Sequence, residues 1–195
     1  MALGVLARQS PTGTGLQKAL IAMKTTPTTS EITPIPLPPS DLPALQEEGH
    51  SLMFSSFTTE DALELGHLLY ARLAPLASET PAVVSISLAN SGQVLFQCVT
   101  GPGTTPDNEH WIRRKRNTVL RFGASSWFMH CKFQGNEDAF AAKYSVGNDE
   151  YAIHGGAVPI YVRGVEGVVA VVVVSGLAQH EDHAVIFDVV KENWR

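Results

Sequence analysis

Three stretches of this chain place polar side chains where they can do chemistry. The first is the basic run Arg113-Arg114-Lys115-Arg116, followed by Arg121. At 100° per residue, Trp111, Ile112, Val119, Leu120 and Phe122 share one arc of a helix. Arg113, Arg114, Asn117 and Arg121 lie opposite, where water solvates them. Lys115 and Arg116 fall within the apolar arc, so each must find an anion, a carbonyl or a subunit boundary. A structural ion pair answers that need, and so does the propionate or phosphate of an anionic ligand. The second stretch is His180-Glu181-Asp182-His183 at the start of a helical pattern. Asp182 and His183 edge its apolar face, one turn before Ile186 and Phe187, while His180 and Glu181 turn outward. Asp182 there stabilises a helix N-terminus, and His183 makes a buried hydrogen bond. In the third, His154-Gly155-Gly156 interrupts one apolar segment and Ser175-Gly176 ends the next. Glycines admit a ligand or another backbone at close range, and amides at a helix start suit an anion.

The same residues exclude several chemistries. Gly155-Gly156 lacks the GxGxxG that follows a strand and opens a helix in dinucleotide sites. Ser175, Asp182 and His183 do not make a hydrolase triad, because Ser175 has no GxSxG context and adjacent side chains on a helix diverge. His180 and His183 have no third clustered ligand, so no metal site is assigned. Cys98 alternates within a strand and reads as packing, and His130-Cys131 lacks a motif context. His50, His67 and His110 offer no grouping. No catalytic residue is assigned.

The elements that position these groups follow from periodicity. TTEDALELGHLLYARL, from Thr58, has a capping residue, acidic residues in its first turn and apolar residues at helical spacing up to Pro75. AVVSISLA and QVLFQCV flank Asn90-Ser91-Gly92 and read as an antiparallel hairpin. Asp107 caps a helix running to about Phe122, and SSWFMHCKF is compatible with another. YAIHGGAVPIYV and VVAVVVV read as strands joined by a turn at Gly164 and Gly167, the second strand central and buried on both faces. A last helix runs from Gln179 to Trp194. Hairpins rather than crossovers give an α/β protein of the α+β kind, with an antiparallel sheet and flanking helices.

The chain's 195 residues hold one domain and a tail. Hydrophobic residues make up 44% and charged residues 17%, too apolar for disorder and rich enough to bury a core and subunit contacts. A net charge of −5 supplies no field for nucleic acid, and no apolar run is long enough for a membrane-spanning helix. Two cysteines fit a reducing, cytoplasmic compartment. Residues 1–49 read as a disordered tail and linker, with TTPTTS followed by the proline cluster TPIPLPPSDLP, and residues 50–195 as the domain. Arg8, Lys18 and Lys24 precede the first acidic residue, Glu31, a weak mitochondrial-targeting signature.

WIRRKRNTVLRFG, YAIHGGAVPIYV and VVVSGLAQHEDH, with TTEDALELG, closely resemble an uncharacterised bacterial and fungal family. That family is related to the haem-degrading GlcG/HbpS-like superfamily, which includes C-terminal domains of some corrinoid adenosyltransferases. The resemblance runs from about His50 to Trp194. It implies a profilin-like three-layer sandwich that assembles into homo-oligomers, with haem or another tetrapyrrole as the implied cofactor. Gly155, Gly156, Pro159, Ser175, Gly176 and Asp182 match the shared core, and Trp111, Arg113, Lys115, Arg116, His154 and His183 match the closer family. The hairpin reads Asn90-Ser91-Gly92 where haem-binding relatives often carry Asp before the glycine, and no axial ligand is assigned by matching. The leading expectation is an oligomeric small-ligand-binding protein that binds or oxidatively degrades haem or a related tetrapyrrole. Its ligand would meet Lys115, Arg116, His154, Gly155, Gly156, Ser175, Gly176, Asp182 and His183. The alternative is a non-enzymatic oligomeric adaptor that recruits protein partners.

Overall fold

A computed structural model describes residues 4–25, 33–48 and 52–195. His50 and most of the TTPTTS stretch lie outside the described residues. In chain order the elements are α1 (Thr14–Lys24), α2 (Leu42–Glu48), β1 (Leu52–Phe54) and α3 (Thr59–Leu73), then β2 (Val83–Leu88), β3 (Val94–Val99) and α4 (Pro106–Phe122). They continue with α5 (Ser126–Lys132), α6 (Glu137–Tyr144), β4 (Ala157–Val162), β5 (Ala170–Ser175) and α7 (Gln179–Asn193).

The strands form one five-stranded sheet in the order β1-β4-β5-β2-β3. β5 is its centre, and every residue of that strand is buried. Its alternation divides the core: Val172 and Val174 face α3 and α7, and Val171 and Val173 face Ile112 and Val119 of α4. This gives the three layers, helices on each face of a sheet. Both hairpins form where turn residues predict them, with Gly92 at φ +70° and Gly164 and Gly167 at φ +80° and +81°. The sheet is antiparallel except at one edge, where the short β1 pairs in parallel with β4, Leu52 opposite Ile160 and Phe54 opposite Val162.

Cap chemistry sets the helix starts. Thr58 Oγ1 accepts from the Asp61 amide while Asp61 accepts from the Thr58 amide, closing a capping box on α3. α4 begins two residues before the sequence reading, because Thr105 caps it with Asn108 and Pro106 enters the first turn. Asp107 lies in that turn rather than at the cap. SSWFMHCKF is a helix, with Ser125 Oγ accepting from the Phe128 amide. α6, capped by Asn136, was not read from periodicity; it is short and buries Phe140 alone.

Residues 4–25 correct the disordered-tail reading. The Leu6 amide donates to Met53 O and Leu6 O accepts from Ser55 N, so the segment covers the outer edge of β1. Ala7 and Arg195 exchange backbone hydrogen bonds, tying the two ends of the chain together. α1 then lies on α3 through Gly15 and Ala19, both buried, so its backbone approaches closely. The buried Glu64 carboxylate accepts from the amides of Gly13, at 3.1 Å, and Gly15, at 2.6 Å, satisfying two donors of a helix N-terminus. A composition lacking strong periodicity hid these docking contacts, which are made by backbone and small residues. Glu64→Ala is expected to cost about 1–3 kcal/mol by orphaning the buried Gly15 amide and the half-buried Gly13 amide. Amide hydrogen exchange should show α1 opening well before β5; equal protection of α1 in the variant and the wild type would contradict this.

The proline cluster is extended without regular hydrogen bonding, yet it is not free. Pro34 O accepts from Arg72 and Pro39 O from the Trp127 ring nitrogen.

Candidate functional site

α4 presents Trp111 and Lys115 toward the sheet end where β4 begins and β5 stops, and α7 starts there with Ala178 at its cap. Between these elements lies a cleft of about 550 Å³, lined by Asn108, Trp111, Lys115, His154, Ser175, Gly176, Leu177, Ala178, Gln179, His180 and Asp182.

Its floor is an ion pair. Lys115 Nζ stands 2.9 Å from Asp182 Oδ2, with side chains only 4% and 2% exposed. Lys115 also donates to Val174 O at 3.3 Å, and the Leu177 amide donates to Asp182 Oδ1 at 3.0 Å. Burial pushes the Asp182 carboxyl above its ordinary range, against the pull of the Lys115 ammonium and the amides of Leu177 and Gly176. The polar residue on the apolar arc of α4 therefore finds its anion inside the protein, joining α4, β5 and α7. Gly156, at φ +119°, passes directly over this pair.

One wall is a closed ring of contacts around His154. His154 Nδ1 lies 3.1 Å from Glu137 Oε1, and the imidazole meets the Trp111 ring edge-on at 4.7 Å. The Arg114 guanidinium stacks 4.4 Å over Trp111 and lies 4.0 Å from Glu137. A carboxylate on one ring nitrogen fixes an imidazole's orientation and leaves the other nitrogen for a ligand. His154 is the accessible member, its side chain 39% exposed. Deeper in, His130 stacks on Trp127 at 5.0 Å. Burial and the nearby His154 hold the His130 imidazole below its ordinary value, with Glu137 pulling the other way.

The structure brings together Lys115, His154, Ser175, Gly176 and Asp182 in the cleft lining, and sets Gly155 and Gly156 directly behind it. Two predicted residues go elsewhere. His183 is buried on the other side of α7, among Phe187, Trp127 and the proline segment, so it does not share the cleft with His154. Arg116 is half-buried and is absent from the cleft lining. The face of α4 expected to be solvated is not free either. Arg113 donates to Asp149 O, Arg114 to Tyr151 O, Asn117 to Glu150 O and Arg121 to Tyr144 O, because the last carbonyl of α6 and those of the irregular 145–152 segment need donors. Arg114 is buried as a result. Sequence reasoning missed Glu137, Gln179 and Asn108; only the pairing of α6 with the His154 turn identifies Glu137, and that pairing is tertiary. Burial raises the Cys98 thiol to about 11, keeping it a neutral packing group. Among the described residues no His, Cys, Asp and Glu cluster of metal-site size is present, and no helix is long and apolar enough to cross a membrane.

A three-layer α/β sandwich with a cleft at one sheet end, over a buried Lys-Asp pair, defines a small-domain class. A family profile described as "Haem degrading protein HbpS-like" matches residues 57–191, and the chain belongs to that family. A UPF0303 protein of Streptomyces avermitilis is 41% identical over 154 residues, 79% of this chain and 91% of its own length. UPF0303 protein YBR137W of Saccharomyces cerevisiae is 40% identical over 142 residues, 73% of this chain and 78% of its own. The crystal structure of Ybr137w protein matches with TM-score 0.65 and 38% identity, covering 72% of this chain and 80% of that one. The crystal structure of HbpS, at TM-score 0.51 and 18% identity over 70% of this chain and 88% of that one, shares the fold.

Proposed function

We propose that this protein is an oligomeric small-ligand-binding protein whose cleft takes haem or a related tetrapyrrole. The observation that carries the reading is the Glu137-oriented His154 imidazole at a cleft of about 550 Å³, within the size range of cofactor pockets. The donor set fits such a group: an imidazole with one nitrogen held by a carboxylate, a Trp111 wall, and the polar Asn108 and His180 at the rim. Lys115 is already neutralised by Asp182, so its part is to shape the floor rather than to meet a propionate. Bound haem would supply the redox chemistry; the chain's residues bind and orient it, and no residue is assigned as a general acid or base. Family membership supports the haem-related class. The homo-oligomer part of the reading draws support from the apolar residues exposed on α1, Leu16, Leu20 and Met23, and on the edge strand β3, Val94 and Val99.

Haemin titration followed in the Soret region tests this. A saturable shift is expected for the wild type and for His183→Ala. His154→Ala should weaken binding by about 100-fold or more, and Glu137→Gln by about 10- to 100-fold, the usual effect of losing a group that orients a metal-binding imidazole. A wild type with no saturable shift would sink the reading and leave the adaptor in its place. Equal weakening by His183→Ala and His154→Ala would move the site off the cleft.

A further inference from the structure

The proline segment makes contacts that a mere linker does not need. Ile35, Pro38 and Pro39 are half-buried while Pro36 and Leu37 are exposed, Leu37 to 83%. Ile35 and Pro38 thus share an inward face at a three-residue spacing, the period of a polyproline II helix. Ile35 packs against the main core. The Trp127 indole N–H donates to Pro39 O at 2.8 Å, and Arg72, itself held at 3.0 Å by Asp188, donates to Pro34 O at 3.1 Å. Between these two anchors the segment spans α7 over His183, Ala184 and Phe187, leaving a void of about 100 Å³ beneath it. An aromatic-lined surface that reads the carbonyls of an extended proline-rich strand through an indole N–H is how folded domains recognise such peptides. The family profile begins at residue 57, so the segment lies outside the profile-matched residues and packs on their surface.

We propose that the face formed by Trp127 of α5 and by α7 is a docking groove for proline-rich peptides, filled in cis by residues 34–39 and open to exchange with a proline-rich segment of a partner protein. Its lining residues, Trp127, His183 and Phe187, are separate from the cleft's, so the groove stands whether or not the cleft binds haem. Cis occupancy lowers the apparent affinity for a partner by the fraction of molecules in which the groove is open. Loosening the segment therefore strengthens partner binding without touching the groove itself.

The test uses the full chain and a fluorescein-labelled copy of residues 33–42, TPIPLPPSDL, read by fluorescence polarisation. Pro38→Gly combined with Pro39→Gly frees the segment by raising its chain entropy while leaving the groove intact. The freed chain is expected to bind the peptide saturably, at least about ten-fold more tightly than the wild type. Adding Trp127→Phe should weaken it about five-fold, the loss of one hydrogen bond. A copy with alanine at every proline should bind at least about ten-fold more weakly, since it must pay the ordering entropy that proline removes. The wild type itself supplies a second measurement: millimolar peptide carrying a nitroxide at its N-terminus should broaden the Trp127 indole N–H resonance, identified by its absence in Trp127→Phe. A resonance left sharp, a freed chain that stays folded by circular dichroism and does not bind, or equal binding of the alanine peptide would each overturn the proposal.

Discussion

Lys115→Ala and Asp182→Ala are each expected to lower stability by about 3–5 kcal/mol, because each leaves its partner's charge buried and unpaired. For a chain of this length that is a fall in melting temperature of roughly 6–20 °C. The two side chains are 4% and 2% exposed and bridge three elements, so neither charge can relax into water without α4, β5 and α7 parting. Replacing both together, Lys115→Met with Asp182→Leu, removes the buried charges as well as their attraction. That double variant should lose about 1–3 kcal/mol, less than either single variant, since the desolvation of both ions is relieved while the Leu177 and Gly176 amides lose their acceptor. The pH dependence separates the pair further. Burial raises the Asp182 carboxyl in the folded state, so the folded chain binds that proton more tightly than the unfolded one. Its contribution to stability is complete below the ordinary carboxylate range and is lost as pH rises through the raised value. The double variant lacks this loss and should gain on the wild type between acid and neutral pH. Thermal melts at several pH values decide it; single variants that melt with the wild type would show the pair to be wetter than its geometry implies.

This pair also marks where sequence and structure part. That Lys115 lay on an apolar arc and Asp182 on the inward edge of a helix start was legible from counting at 100° per residue, and so was the need of each for a partner. That they were each other's partner was not, because α4 and α7 meet only across the end of the sheet. The layers were legible for the same reason: β5 is apolar at every position from Ala170 to Val174, which only a strand covered on both faces tolerates. His183 shows the limit. Its burial followed from its register with Phe187, but inward on a helix covers more than one neighbour, and the proline segment supplied the one it took. The polar face of α4 failed differently. Its arginines point away from the sheet as expected, yet the end of α6 and the irregular residues 145–152 present carbonyls that take them up, and nothing in the period of α4 announces them. Glu137 and the ordered N-terminal segment escaped because single backbone and side-chain contacts at long range leave no periodic trace.

Gly156→Ala is expected to cost about 3–5 kcal/mol, where Gly164→Ala should cost only about 1–2 kcal/mol. Both glycines have positive φ, +119° and +80°, so each substitution carries backbone strain. They differ in what surrounds them. A Cβ on Gly164 enters open space, whereas one on Gly156 runs into the Val174 carbonyl oxygen and comes within 2.8 Å of Asp182 Cβ and 2.9 Å of Lys115 Nζ. Val174 O also accepts a hydrogen bond from Lys115, so the strand backbone cannot retreat without disturbing the ion pair below it. The added methyl therefore forces apart the elements that the pair joins, and the damage reaches the cleft floor as well as the fold. Gly156→Ala should accordingly lose any haemin-induced Soret shift even at a temperature where it remains folded, while Gly164→Ala keeps it. Comparable melting temperatures for the two variants would mean that backbone conformation alone, and not close approach over the Lys115-Asp182 pair, sets the requirement for glycine at 156.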